Sequence, residues 1–117
     1  MNILIFGASG RTGKHLITKG LKDGNRITAF VRNIAGLTIK NNNLILFQGN
    51  ILNAKEVQEA MVGQDVVISV LGNKTSSALL RSTTVISDGV RNIISGMKTQ
   101  NIKRLVFVSS FGINDEI

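Results

Sequence analysis

Apolar residues follow two rhythms along this chain. Short continuous runs at residues 2–6, 26–32, 44–47, 65–71 and 104–108 read as strands. Between them, apolar residues recur at helical spacing, on one face of a helix. Leu16, Ile17 and Leu21 do so within 12–22. Val85, Ile86, Val90, Ile93, Ile94 and Met97 do so within a longer stretch, 80–99. Both stretches read as amphipathic helices. A third helix is short and runs to Met61. Asn53 is its expected cap, and Glu56 stands three residues on, as in a capping box. Asp23-Gly24-Asn25 and Val62-Gly63-Gln64 read as turns. Residues 33–43 read as a loop, with at most a helical turn near 34–37.

Strand and helix thus alternate from end to end, which predicts an α/β fold with a parallel sheet. Right-handed crossovers place five strands in the order 3-2-1-4-5 of a Rossmann-type, doubly wound sheet. The run 65–71 is apolar on both alternations, as expected of a strand buried on both faces. Such sheets bind ligands beyond the carboxyl ends of their strands, at the switch point between strands 1 and 4. The punctuating motifs fall at those ends: residues 7–13, Arg32, Gly49-Asn50-Ile51, Leu71-Gly72-Asn73 and Ser109-Ser110.

The first of these, Gly7-Ala8-Ser9-Gly10-Arg11-Thr12-Gly13, carries the most chemistry. A buried strand delivers the backbone to a tight turn, and glycines without Cβ let that backbone approach a pyrophosphate. The following helix offers unpaired N–H groups and the positive end of its dipole to the anion. Gly13, one turn in, allows close packing of that helix on the strand. The spacing is G-x-x-G-x-x-G, distinct from the G-x-G-x-x-G dehydrogenase fingerprint.

The second strand's end indicates which dinucleotide. NAD-selective sites place an acid there for the ribose hydroxyls. Here no Asp or Glu occurs between Asp23 and Glu56, and Arg32 stands at that position. A guanidinium suits a 2′-phosphate, which it can grip with two hydrogen bonds. Arg11 is a candidate second cation. The plainer alternative for both is a solvated charge, and His15 reads as an exposed helix residue beside the apolar face.

Composition removes several classes. The 117 residues suit one domain, 1–117. The net charge of +7 arises from scattered Lys and Arg, and the chain has no Trp or Tyr to interleave with them. Nucleic acid is therefore not the expected partner, and a general attraction for anionic ligands is the safer inference. Phe6, Phe30, Phe47 and Phe107 lie in strand-like runs and read as core. With no Cys and one His, disulfides, thiolate metal sites and multi-histidine metal sites are excluded. No apolar run reaches membrane-spanning length and no signal peptide precedes the first strand, so a cytoplasmic protein is expected.

Taken together, GASGRTG, the Arg of AFVRN, QGNILN, VVISVLG, TTVISDGVRNIISGMK and RLVFVSS resemble an atypical short-chain dehydrogenase/reductase. The subgroup most similar in motif is that of NAD(P)H-dependent flavin reductases and biliverdin-IXβ reductase-like proteins, to which NmrA-like regulators are related. The resemblance covers nearly all of this chain but only the N-terminal part of the family, so the C-terminal substrate-binding part is expected to be absent. It implies NADP(H), with NAD(H) as the alternative, as cofactor. It assigns the pyrophosphate to Gly7, Ser9, Gly10, Arg11, Thr12 and Gly13, and the 2′-phosphate to Arg32. Asn50 and Ile51 match a pair, usually Asp-Val or Asp-Ile, that borders the adenine. Asn in place of Asp can still accept from the adenine amine, without charge. Leu71 and Gly72 match the strand end beside the ribose and nicotinamide. Ser109 and Ser110 match the end where nicotinamide and substrate meet, with Ser110 at the reacting position; a strand-end cap is the alternative for both.

Larger relatives use a Tyr-x-x-x-Lys pair, and this chain has no Tyr. The implied reaction is hydride transfer from NADPH to a flavin, quinone or tetrapyrrole-type acceptor. Two alternatives stand beside it: a non-catalytic dinucleotide sensor, and an inactive fragment of a longer reductase. Strands 66–71 and 105–108 are apolar on both alternations, and nothing after Ser110 is expected to cover their first-helix face. Self-association through that face follows as an expectation.

Overall fold

The computed structural model describes residues 1–8, 10–70 and 83–108. Ser9, Leu71, Gly72, Ser109 and Ser110 lie outside the described residues. Five strands form one parallel sheet: β1 (Asn2–Phe6), β2 (Arg26–Val31), β3 (Leu44–Gln48), β4 (Val66–Ser69) and β5 (Leu105–Phe107). Their order is β3-β2-β1-β4-β5, as the alternation predicts. Register aligns the strand ends, with Phe6 opposite Phe30 on one side and Ser69 on the other. The connecting helices are α1 (Arg11–Lys22), α2 (Ala54–Met61) and α3 (Thr83–Thr99).

Period-two alternation along β1 divides the interior into two cores. Leu4 and Phe6 face α2 and α3, packing with Val57, Met61, Ile93 and Met97. Ile5 faces α1, packing with Ile17, Ile27, Ala29 and Val31. Each of these side chains is buried, so the sheet is covered on both faces at its centre. The rings of Phe6, Phe30 and Phe47 follow one another on the α2 side, the first pair tilted at 4.8 Å between centroids and the second stacked at 5.3 Å.

Helix ends follow local chemistry. Asn25 N donates to Gly20 O and Gly24 N to Leu21 O, a Schellman motif with Gly24 left-handed at φ 89°. α3 ends in the same way, with Ile102 N to Met97 O, Asn101 N to Lys98 O and Asn101 at φ 59°. In the loop after β2, Asn33 accepts from Ala35 N and starts a 3₁₀ turn at Ile34–Gly36. Leu37 then anchors the loop in the α1-side core.

Four strands are shorter or less covered than their apolar runs suggest, β5 among them, since it spans only Leu105–Phe107. β2 ends at Val31, so Arg32 is the first residue beyond it. Asp65 precedes β4: its N–H donates to Asn2 O and its carboxylate accepts from Asn2 N, which closes the end of the ladder. Ile68 is only partly buried, so β4 is not sealed on both faces. At the edge, β3 exposes Ile45 and Leu46, because β2 is its one neighbour in the sheet. Among the described residues, no helix is long and apolar enough to cross a membrane, and no cluster of His, Cys, Asp and Glu suits a metal ion.

Candidate dinucleotide site

Parallel pairing sends the carboxyl ends of all five strands to one edge of the sheet. Gly7, Arg32 and Gly49-Asn50 follow β1, β2 and β3 there, and β1 lies between β2 and β4, at the switch point.

The three glycines of the first loop have three different causes. Gly7 adopts φ 76°, which side chains rarely tolerate, and so turns the chain out of β1. Gly10 has an ordinary φ of −79° and forms the N-cap of α1. Among the described residues, a Cβ placed on it would meet nothing within 4 Å. No packing contact therefore requires glycine at this position, where it serves as a helix N-cap, and the open space lies directly before the helix. Gly13 is the opposite case: a Cβ there would stand 2.5 Å from Ala8 Cα and O. Its absence lets α1 lie on the backbone that leaves β1.

The start of α1 suits an anion. No side chain caps it, and its first turn carries no acid. Lys14 N donates to Gly10 O, so the N–H groups before it precede the regular helical ladder. Arg11 and Lys14 are exposed and join His15 and Thr18 along an open groove on the outer side of α1. Arg32 is exposed, and among the described residues its guanidinium makes no ion pair or hydrogen bond. These residues present cations and orphan donors, and their fit to a pyrophosphate rests on the open cradle at Gly10.

The loop after β3 is more tightly held than its residue pattern suggests. Gly49 is a packing glycine, since a Cβ there would meet the Phe30 ring at 2.8 Å. The aromatic series therefore runs directly beneath the loop. Asn50 Oδ1 accepts from Leu52 N at 2.9 Å, which uses one lone pair and leaves the amide donors and a second lone pair. The expected capping box is altered. Asn53 Oδ1 accepts from Lys55 N and Glu56 N as a cap should. Glu56 Oε1, however, accepts from Asn50 N at 2.9 Å, not from the cap residue. Asn53 N instead donates to Asn50 O. Ile51 is fixed from α3, where Asn92 Nδ2 donates to its carbonyl at 2.9 Å. Leu71, Gly72, Ser109 and Ser110 follow Val70 and Val108 in sequence, beyond the described parts of β4 and β5.

Comparison with known proteins agrees with this geometry. The family described as NAD(P)H-binding matches residues 7–117. An isoflavone reductase homolog from Zea mays is 27% identical over 121 residues, covering 96% of this chain and 36% of the relative. A 3-beta-hydroxysteroid dehydrogenase from Mycolicibacterium neoaurum is 27% identical, covering 92% and 31%. The chain thus spans about a third of the length of these curated relatives. A Rossmann-fold NAD(P)-binding family protein from Shigella flexneri superposes with a TM-score of 0.71 at 30% identity, over 89% of this chain and 49% of that one. The glycine turn, the bare start of α1 and the sheet order accord with a match from Gly7 to the last residue: the chain belongs to the NAD(P)H-binding family.

Proposed function

We propose that this chain is the NADP(H)-binding part of a reductase whose acceptor is a flavin, quinone or tetrapyrrole-type molecule. The observation that carries the reading is the vacant Cβ position at Gly10 before the uncapped start of α1. Packing does not demand glycine at that position, whereas a pyrophosphate seated there would. The bound dinucleotide would supply the hydride. The chain's part is to hold it: Gly7, Gly10, Thr12 and Gly13 with Ser9 at the pyrophosphate, Arg32 and Arg11 at the 2′-phosphate, and Asn50 and Ile51 at the adenine. Leu71 and Gly72 would border the ribose and nicotinamide, and Ser110, with Ser109, would orient the acceptor. The names of the maize and Mycolicibacterium relatives support a reductase or dehydrogenase. Their greater length leaves room for a separate acceptor pocket. Oxidation of NADPH in the presence of FMN or a quinone tests the reading. Tight binding without turnover would favour a sensor.

Cofactor choice is the first expected outcome. The exposed Arg32 follows β2 where NAD-selective sites carry an acid, and it has no partner among the described residues. A charge-assisted hydrogen bond contributes about 1.5–3 kcal/mol, and about 1.4 kcal/mol is tenfold. NADPH should therefore bind roughly ten- to a hundredfold more tightly than NADH. Arg32→Ala should remove most of that preference. Equal affinities for the two cofactors in calorimetry on the unmodified protein would end this assignment.

Self-association is the second. Ile68 and Val106 are only partly buried on the α1 side. Among the described residues, α1 is the one helix on that face, and it packs on β1 and β2. Apolar surface at β4 and β5 favours pairing of two copies. Sedimentation across a wide concentration range should show a dimer or larger species. Replacing Ile68 and Val106 together by Thr should shift the protein towards monomer. A monomer at every concentration would contradict the proposal.

A further inference from the structure

We propose that Asn92, together with Gly89 one turn before it on α3, is a positioning element that sets the adenine end of the site. The inference rests on the reading that Asn50 and Ile51 border the adenine. Neither α3 residue needs to touch the ligand. Asn92 Nδ2 donates to Ile51 O at 2.9 Å, across 41 residues of chain. Gly89 is buried, and a Cβ there would stand 2.9 Å from Ile51 Cγ1. One residue of the loop is thus held by α3 at its carbonyl and at its side chain. Spacing of three along a helix places Gly89 and Asn92 on one face, so a single helix surface makes both contacts.

The adjoining bonds explain what this hold transmits. Asn50 N donates to Glu56 Oε1, Leu52 N to Asn50 Oδ1 and Asn53 N to Asn50 O. Asn50 and Ile51 are therefore fastened from both helices that cover this face of the sheet. Ile51 packs inward against the core, whereas Asn50 stays exposed at the strand end. Moving Ile51 turns the exposed amide of Asn50 with it. Freeing the Ile51 carbonyl removes one of the two α3 contacts and leaves the packing at Gly89, α2 and its cap in place. The loop then has to be ordered by the ligand, which lowers affinity without removing a ligand contact.

The test measures binding of NADPH and of adenosine 2′,5′-bisphosphate, which lacks the nicotinamide half, to three proteins by calorimetry. Asn92→Leu should weaken both ligands by the same factor, roughly tenfold, the size expected for one lost hydrogen bond with its partner left unsatisfied. Asn92→Asp provides a readout that simple loss of packing would not move. At about pH 8 its carboxylate opposes the Ile51 carbonyl and should weaken binding. As pH falls towards the carboxylate range near about 4, the protonated acid regains a donor. Its deficit relative to the unmodified protein at the same pH should then close. Because the comparison is made at each pH, titration of the ligand's own phosphates cancels. If Asn92→Leu does not fold, the Asp variant decides alone. A folded Asn92→Asp that binds like the unmodified protein, or whose deficit is independent of pH, overturns the inference. Failure of the unmodified protein to bind either ligand removes the adenine reading itself, and this inference with it.

Discussion

Gly10→Val is expected to lower affinity for NADPH and NADH alike by at least about a hundredfold, while the protein stays folded with only a small drop in melting temperature. The two halves of that outcome have separate causes. Gly10 has φ −79° and ψ 177°, extended backbone that a β-branched residue adopts without strain. Among the described residues a Cβ on it meets nothing within 4 Å, so the fold loses little beyond the preference for glycine over valine at a helix N-cap. The added methyls occupy the space in front of the first turn of α1, where the pyrophosphate must come within hydrogen-bond distance of the N–H groups. Losing two charge-assisted bonds of about 1.5–3 kcal/mol each is enough for a hundredfold or more. The loss is common to both cofactors because they share the pyrophosphate. Calorimetry paired with a thermal melt checks it. Normal binding by the folded variant would place the phosphates elsewhere.

The sheet was legible because its signal is redundant. Five apolar runs of strand length alternate with amphipathic helices, and handedness leaves one plausible order, which β3-β2-β1-β4-β5 matches. Gly24 and Asn53 were legible because a left-handed turn and a helix cap each demand few residue types. Other features depend on partners distant in sequence. Glu56 has the spacing of a capping box, yet its carboxylate accepts from Asn50 N, because the cap residue's own N–H already donates to Asn50 O. Gly49 resembles a turn glycine, but it is required beneath the ring of Phe30. Asn92 lies in an amphipathic helix among ordinary polar positions, and only the fold brings it to Ile51. The exposure of Ile45 and Leu46 is of the same kind, since a strand's composition does not say whether it lies at a sheet edge.

At Gly13 the expected effect falls on the fold, where at Gly10 it falls on the ligand. A Cβ there would stand 2.5 Å from both Cα and O of Ala8, and 2.6 Å from its carbonyl carbon. All three atoms are backbone, so no rotamer change relieves the contact. The helix has to move off the strand, and Ile17 with it. Ile17 is fully buried against Ile5 and Ile27, so the shift opens the α1-side core. Overpacking of this kind costs about 1–3 kcal/mol or more, against a total stability of about 5–15 kcal/mol for a domain. Gly13→Ala should lower the melting temperature by roughly 5–15 °C, and Gly13→Val should prevent folding. Gly20→Ala is the control within the same helix. Its Cβ would meet Ile27 Cδ1 at 2.7 Å, but that atom is the end of a flexible side chain and can turn away. The gain in helix propensity, about 1 kcal/mol, offsets the adjustment, so its melt should barely change. A Gly13→Ala variant that melts with the unmodified protein would mean that α1 does not lie on the Ala8 backbone.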